Sequence, residues 1–155
     1  MNCAHGAHEM LHKQHDLRSM SAYNARKGKE KEISTMKGSK NWVFADGDLP
    51  PKDGGAMEAH EALMIFNLGK EDATCRCSFY FEDKEPVKDI IVHVKAERIL
   101  CNHLDQPLGE QGYKVPFGQY ALVVESDVPV FCIFGRLDTR QANMAYYSVQ
   151  GHTFD

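Results

Sequence analysis

A two-residue alternation between positions 73 and 81 constrains the fold of this chain more than any other feature of its sequence. Small or apolar side chains stand at Ala73, Cys75, Cys77, Phe79 and Phe81, and Thr, Arg, Ser and Tyr separate them. Successive side chains of a β-strand point to opposite faces, so the pattern predicts a strand with one buried face. An amphipathic helix would instead repeat its apolar residues every three or four positions.

Short segments of similar β-rich composition occur before and after this strand, and Gly, Pro, Asp and Asn residues separate them as turns do. The predicted strands are 42–45, 61–67, 73–81, 90–95, 98–101, 120–125, 128–134 and 144–149. About eight strands at this spacing predict an all-β fold, a single-domain antiparallel β-sandwich. We place this domain at residues 41–150, with residues 151–155 as a C-terminal tail.

Residues 1–40, which we call the leader, differ from the rest in composition and charge. They carry eight Lys and Arg against four Asp and Glu, whereas residues 41–155 carry ten basic and eighteen acidic residues. The leader holds few large apolar residues, so we predict a disordered or partly helical segment outside the sandwich. The body, with a net charge of −8, repels nucleic-acid phosphates, and any nucleic-acid contact would have to use the leader.

Several classes of function find no support in the sequence. No apolar run reaches about 18 residues, and the N-terminus lacks the apolar core of a secretory signal, so we expect a cytoplasmic protein with no membrane insertion. The chain contains no Gly-x-Ser-x-Gly, phosphate-binding Gly-rich or His-Glu-x-x-His motif. We therefore predict a non-enzymatic protein without a cofactor. Cys75, Cys77 and Cys132 are predicted to be buried apolar residues rather than parts of a disulfide framework.

Arg136, Asp138 and Arg140 form the strongest candidate for a ligand site. Residues two apart on a strand share one face, so these three would present two guanidinium groups and a carboxylate in a row. Arginine forks bind carboxylates and other planar polar groups through paired hydrogen bonds. The row could therefore hold a polar ligand, with Asp138 orienting the arginines. Alternatively, it could be an ion-pair network that fixes the strand end or a subunit interface.

Five further residues are weaker candidates for ligand binding. Trp42 either packs in the core or offers a flat ring to a sugar. His60 and Glu61 are neighbours on a strand and face opposite sides, so they do not form a metal motif. A hydrogen-bonded structural role or a ligand contact is expected for His60. Asn67 and Glu85 stand beside turns and serve either the turn or a ligand.

Only the leader contains a pattern that resembles a metal site. His5, His8, His12 and His15 are spaced by three, four and three residues, which would place them on one face of a helix beyond Cys3. Histidines in this arrangement can bind Zn²⁺, Ni²⁺ or Cu²⁺. Without supporting outer contacts such binding is weak and unselective, so we predict no dedicated metal centre.

Several segments together resemble one protein family. They are WVFADG at 42–47 with Pro50 and Pro51, IFNLG at 65–69 after His60 and Glu61, YFEDKEPV at 80–87, DVPV at 127–130, and GRLDTRQA at 135–142. Their order and spacing are similar to those of the sensory rhodopsin transducer family, a group of small soluble prokaryotic proteins. The resemblance covers nearly all of the body, from about Asn41 to about Tyr147.

The resemblance implies a β-sandwich that assembles as a homotetramer. The founding member of the family relays a signal from a membrane photoreceptor, and the wider family resembles a set of small-molecule-binding domains with sugar-related ligands. We therefore expect an adaptor that senses a small polar or sugar-like metabolite and contacts a partner protein. Two alternatives stay open: a carbohydrate-active enzyme, which would need two carboxylates facing one cleft, and a nucleic-acid-associated regulator that uses the basic leader.

Overall fold

The alternation from position 73 produces strand β3, Ala73–Tyr80, in the computed structural model. Ala73, Cys75, Cys77 and Phe79 are fully buried, whereas Arg76 on the opposite face is exposed. This division between a core face and a solvent face is the one that the sequence pattern predicts.

The structure describes residues 38–52, 57–139 and 145–155, and the regular secondary structure of these residues consists of β-strands alone. The strands are β1 Ser39–Leu49, β2 His60–Asn67, β3 Ala73–Tyr80, β4 Val87–Val94, β5 Arg98–His103, β6 Gly118–Asp138, β7 Ala145–Gln150 and β8 His152–Thr153. Every pairing is antiparallel, so the predicted all-β fold is confirmed. The predicted disordered or helical leader and its four histidines lie outside the described residues, apart from residues 38–40.

Strand β6 organises the fold, because its 21 residues belong to two sheets. Its first part pairs with β1 and β3, which gives a five-strand sheet in the order β4-β3-β6-β1-β8. Its last part pairs with β2 and β7, which gives a four-strand sheet in the order β5-β2-β6-β7. The two sheets are therefore joined along one continuous strand.

The sequence predicts two strands, 120–125 and 128–134, where the structure has the single strand β6. The change of sheet lies between them: pairing with β3 ends at Ser126, and pairing with β2 begins at Phe131. Pro129, which has no N–H to donate, stands at this crossing, where no hydrogen bond to a neighbouring strand is needed. The side chain of Asp127 accepts a hydrogen bond from the Thr74 N–H at 2.8 Å and fixes the crossing to β3.

The inner faces of the two sheets share one apolar core. Phe44 of β1 and Phe134 of β6, both at most 1% exposed, lie with their ring centroids 5.8 Å apart and connect the sheets. Cys75, Cys77 and Cys132 belong to this core, as predicted from their sequence context. Burial raises the pKa of each thiol, that of Cys77 to about 12, so these cysteines stay protonated at neutral pH.

Candidate functional site

A charged pair lies inside the sandwich, where Glu61 of β2 stands directly opposite Arg136 of β6. Glu61 is in phase with Leu63 and Ile65, and Arg136 is in phase with Phe134, so both charged side chains point into the core. Glu61 is 0% exposed and Arg136 is 6% exposed. Such burial is costly unless the two charges are paired and hydrogen-bonded.

The carboxylate of Glu61 has three hydrogen-bond donors. Its Oε1 accepts from the Arg136 Nε–H at 2.7 Å and from the Asp48 N–H at 2.9 Å. Its Oε2 accepts from the Tyr120 hydroxyl at 2.5 Å. Burial raises the pKa of Tyr120, and the charge of Glu61 raises it further, so the phenol remains a donor at all physiological pH values.

The guanidinium of Arg136 extends this pair to the neighbouring strands. Its Nη2 donates to the Asp46 carbonyl at 3.0 Å and lies 3.8 Å from the Asp46 carboxylate. Its central carbon lies 5.1 Å from the ring centroid of Tyr147 on β7. Burial alone would lower the pKa of Arg136, but the hydrogen bond and charge of Glu61 raise it, so the guanidinium stays charged. We call Asp46, Asp48, Glu61, Tyr120 and Arg136 the Glu61–Arg136 network.

The network holds a bulge in β1. Phe44 pairs with Leu122 and Gly47 pairs with Tyr120, so β1 has one more residue than β6 over this interval. A Cβ at Gly47 would lie 2.5 Å from a ring carbon of Tyr120, which only glycine avoids. The sequence Asp46-Gly47-Asp48 was predicted to end the strand as a loop, whereas it continues the strand through this bulge to Leu49.

A hollow of about 300 Å³ opens beside the bulge, and we call it the β1–β3 hollow. It is lined by Ala45, Asp46 and Gly47 of β1, by Tyr80, Phe81 and Glu82 at the end of β3, and by Gln119, Tyr120 and Ala121 of β6. Asp46 and Tyr120 belong to both the hollow and the Glu61–Arg136 network. A molecule bound in the hollow would therefore touch residues that hydrogen-bond directly to the buried ion pair.

The predicted row of Arg136, Asp138 and Arg140 is only partly described. Arg136 forms a buried ion pair with Glu61, and it lies 3.8 Å from the exposed carboxylate of Asp46. Asp138 is half-buried at the end of β6, and Arg140 lies outside the described residues. Arg136 therefore forms an ion pair, and the partner of Arg136 is Glu61 of the neighbouring strand β2.

Trp42 and Asn67 occupy structural positions in the protomer. Trp42 is 9% exposed, belongs to the core and donates its indole N–H to the Ser39 carbonyl at 3.0 Å. Asn67 is buried and accepts the Gly69 N–H at 2.9 Å, as turn-forming asparagines do. Its amide also donates to the Glu71 carbonyl at 2.8 Å and to the Val94 carbonyl at 3.2 Å.

His60 and Glu85 lie nearer the surface. The His60 ring stacks on His103 with a centroid separation of 4.5 Å, and its Nδ1 lies 3.1 Å from the Glu58 carbonyl. Glu85 is exposed in the connection between β3 and β4. Among residues 38–52, 57–139 and 145–155, no three His, Cys, Asp or Glu side chains are grouped so as to hold a metal ion.

Of the predicted ligand-binding residues that the structure describes, none lines the β1–β3 hollow. Tyr80, Phe81, Glu82 and Gln119 were not candidates, because nothing in their local sequence distinguishes them from ordinary strand and turn residues. One signal was available for the network beneath the hollow. Glu61 alternates in phase with Leu63 and Ile65, so a buried carboxylate needing partners could have been predicted.

The outer face of the four-strand sheet is mainly apolar, although His60, His103, Ser148 and Gln150 also occupy outward positions. Its outward positions include Met64 and Phe66 of β2, Ile99 and Cys101 of β5, Phe131, Ile133 and Leu137 of β6, and Tyr146 of β7. We call these eight residues the outer apolar face. Ile99 is 65% exposed, Tyr146 63% and Ile133 42%. The outward positions of the four strands, as far as they are described, carry no Asp, Glu, Lys or Arg.

Comparison with known proteins gives matches to one family and to solved structures. The family described as Anabaena sensory rhodopsin transducer matches residues 37–153. The crystal structure of Thermotoga maritima 1070 is 32% identical, with a TM-score of 0.66 over 77% of this chain and 97% of that chain. The structure of the Anabaena sensory rhodopsin transducer is 34% identical, with a TM-score of 0.58 over 68% of this chain and 94% of that chain. No curated protein matches.

In the described part of the chain there is no helix with the length and apolar character needed to cross a bilayer.

Proposed function

This chain belongs to the Anabaena sensory rhodopsin transducer family, and from this membership we propose that it is a non-enzymatic adaptor that relays a signal through protein contacts. An adaptor needs a surface that another protein covers. The observation that carries the proposal is the outer apolar face, where large side chains such as Ile99 and Tyr146 are more than 60% exposed. Contiguous exposed apolar surface of this kind is typical of interaction sites.

We assign a second copy of this chain as the occupant of the outer apolar face. The body carries a net charge of −8, so two copies repel each other wherever charged surfaces meet. The outer apolar face has no charged outward residue in its described part, and two copies can meet there without facing like charges. A two-fold contact would place the same residues on both sides. A homotetramer, which the family resemblance implies, would use this contact together with a second one.

Self-association can be tested with one variant and a matched control. We expect the full chain to be oligomeric at micromolar concentration by sedimentation velocity, and Ile133→Lys to be monomeric, because it buries an unpaired ammonium in the contact. Phe117→Lys replaces another exposed apolar residue, 58% accessible and outside the face, and should stay oligomeric. A monomeric wild type, or equal effects of the two variants, would reject this face as the contact.

The family is described as a transducer of a sensory rhodopsin, and we propose a membrane photoreceptor of that kind as the protein partner of this chain. The adaptor would then work in the cytoplasm, on the inner side of the membrane. Co-expression with a retinal-binding sensory rhodopsin, followed by co-purification in detergent, is the direct test. Retention of the chain on the receptor, and its loss from a receptor lacking its cytoplasmic surface loops, is the expected result. Absence of retention would remove this partner while leaving self-association untouched.

Binding of a small polar metabolite is a second candidate function, and the β1–β3 hollow favours it. The hollow shares Asp46 and Tyr120 with the Glu61–Arg136 network, so occupancy can alter contacts that join both sheets. A thermal-shift screen of sugars and small amines and acids against the full chain should give at least one stabilising compound. If nothing stabilises the protein, the hollow has no role as a receptor site. The described residues give no specific support to the enzyme and nucleic-acid alternatives.

A further inference from the structure

The charge of the β1–β3 hollow restricts what it can bind. Its lining contains two carboxylates, Asp46 and Glu82, and none of its nine residues is Lys or Arg. The Asp46 side chain is 64% exposed, and Arg136 offsets part of its charge from 3.8 Å on the buried side. Glu82 is exposed at the other wall. Lys84 and Lys88 lie outside the lining, so the charge that a ligand meets inside the hollow is that of the two carboxylates, which favours a cation over an anion.

The rings of the hollow already accept ammonium groups within this protein. The Lys84 ammonium lies 4.2 Å from the ring centroid of Phe81, and the Lys88 ammonium lies 5.7 Å from that of Tyr80. Both distances are within the range of cation–π attraction. Neither lysine is among the residues that line the hollow. Phe81 packs partly against the apolar core, whereas Tyr80 is 38% exposed and keeps ring surface for a ligand.

Building on the proposed small-molecule function, we propose that the β1–β3 hollow binds a small organic ammonium compound, such as a methylated amine. The ammonium would lie against the exposed ring of Tyr80, with Asp46 and Glu82 supplying the opposite charge. Aromatic faces combined with carboxylates are the chemistry by which proteins recognise such cations. A volume of about 300 Å³ accommodates a compound of this size.

The test is an NMR titration of the full chain with choline chloride, compared with glucose and with sodium acetate at equal ionic strength. Choline should cause saturable shifts of the Tyr80, Phe81 and Ala121 amide resonances, and acetate should cause none. Glu82→Gln and Asp46→Asn should each weaken choline binding about two- to fivefold. Asp83→Asn, which removes an exposed carboxylate from the same turn but not from the lining, should leave it unchanged.

The remaining outcomes separate this inference from the function on which it rests. Saturable shifts with glucose and none with choline would overturn the ammonium class but keep the hollow as a metabolite site. No saturable shift with any of the three compounds would overturn the inference, and failure of the wider thermal-shift screen would then also remove the metabolite function. Choline shifts that survive both carboxylate variants would show non-specific binding and overturn the inference as well.

Discussion

The outer faces of the two sheets differ in charge, although β6 contributes to both. On the five-strand sheet, Arg76 of β3 and Glu125 of β6 form an ion pair at 3.6 Å, and His93 of β4 lies 2.8 Å from Glu110. Ile133 is an outward residue of the same strand, eight positions after Glu125, but it belongs to the four-strand sheet. It is 42% exposed and has other apolar side chains around it. One face is therefore suited to water and the other to contact with protein.

The edges of the two sheets show the same contrast. The outer edge of β4 in the five-strand sheet is covered by the loop that follows β5: the Glu110 N–H donates to the Ile91 carbonyl at 2.9 Å, and the Ile91 N–H donates to the Gln111 side chain at 2.9 Å. Covering an edge in this way prevents pairing with other strands. The charged face and the covered β4 edge of the five-strand sheet are thus less suited to self-association than the outer apolar face.

The largest expected effect is on stability. It concerns the buried Glu61–Arg136 pair, which lies on the inner side of the four-strand sheet. Arg136→Met leaves Glu61 charged and buried without its partner, and we expect it to lower the free energy of unfolding by about 3–5 kcal/mol in urea denaturation. Arg76→Ala removes an ion pair that is about half exposed, and its cost should stay below about 1 kcal/mol.

A double variant separates loss of pairing from loss of packing in this test. Glu61→Leu combined with Arg136→Met should recover part of the stability lost by Arg136→Met alone, because no unpaired charge then stays buried. All chains must be compared at one protein concentration, since association adds to apparent stability. Equal costs for Arg136→Met and Arg76→Ala would contradict the buried position of the network.

Alkaline pH should also weaken the folded core, by an amount that grows as the pH rises. The pKa values of Cys75, Cys77, Cys132 and Tyr120 are raised by burial above the ordinary values of 9.0 for thiols and 10.0 for phenols. Above about pH 9 the unfolded chain therefore releases protons that the folded chain retains, and stability falls as pH rises. Each group contributes up to about 1.4 kcal/mol per pH unit above its unfolded pKa.

Urea denaturation between about pH 8 and pH 10.5 measures this decline. Cys77→Ala should reduce its slope relative to the wild type, because one group with a raised pKa is removed. Cys101→Ala is the control when all chains are compared at a dilution at which they are monomeric, since Cys101 is exposed in the protomer and outside its core. A free energy of unfolding that stays constant over this pH range would show that these groups are accessible to water in the folded state.

The smallest predicted effect is that of salt on self-association. A contact made by the outer apolar face involves no ion pairs, whereas the two bodies repel each other with a charge of −8 each. Raising NaCl from about 50 to about 500 mM should strengthen association by a few-fold, because salt screens this repulsion. Weaker association at high salt, measured by sedimentation equilibrium, would indicate a contact made by the charged face instead.

Local periodicity predicted the strands but not the way in which β6 joins two sheets. The pattern at Ala73 and Cys75 specifies a face directly, since every second side chain is buried. Pro129 interrupts the pattern of β6, so the sequence suggests two strands where backbone geometry allows one. The partner of Arg136 could not be predicted from its neighbours, because Glu61 lies 75 residues away and meets it only through strand register.

The β1–β3 hollow depends on long-range placement even more strongly. Its lining comes from three segments, with Gly47 in β1, Tyr80 and Glu82 at the end of β3, and Gln119 in β6. A bulge adds only one residue to a strand, and the sequence Asp46-Gly47-Asp48 is as typical of a turn as of a bulge. The bulge could therefore not be predicted from the sequence. The outer apolar face was more predictable in principle. Apolar residues occupy successive positions in β2 and in the last part of β6, so they lie on both faces of those strands.

The central claim is that the outer apolar face is covered in solution while the outer face of the five-strand sheet stays open. Solvent paramagnetic relaxation of methyl groups in the full chain, with a soluble gadolinium chelate, measures this directly. At high protein concentration we predict weaker relaxation enhancement for Ile99 and Ile133 than for Ile91 and Val123 on the other sheet, with the order reversed on dilution. If Ile99 stays the most strongly relaxed methyl at every concentration, the face is open and the account is contradicted.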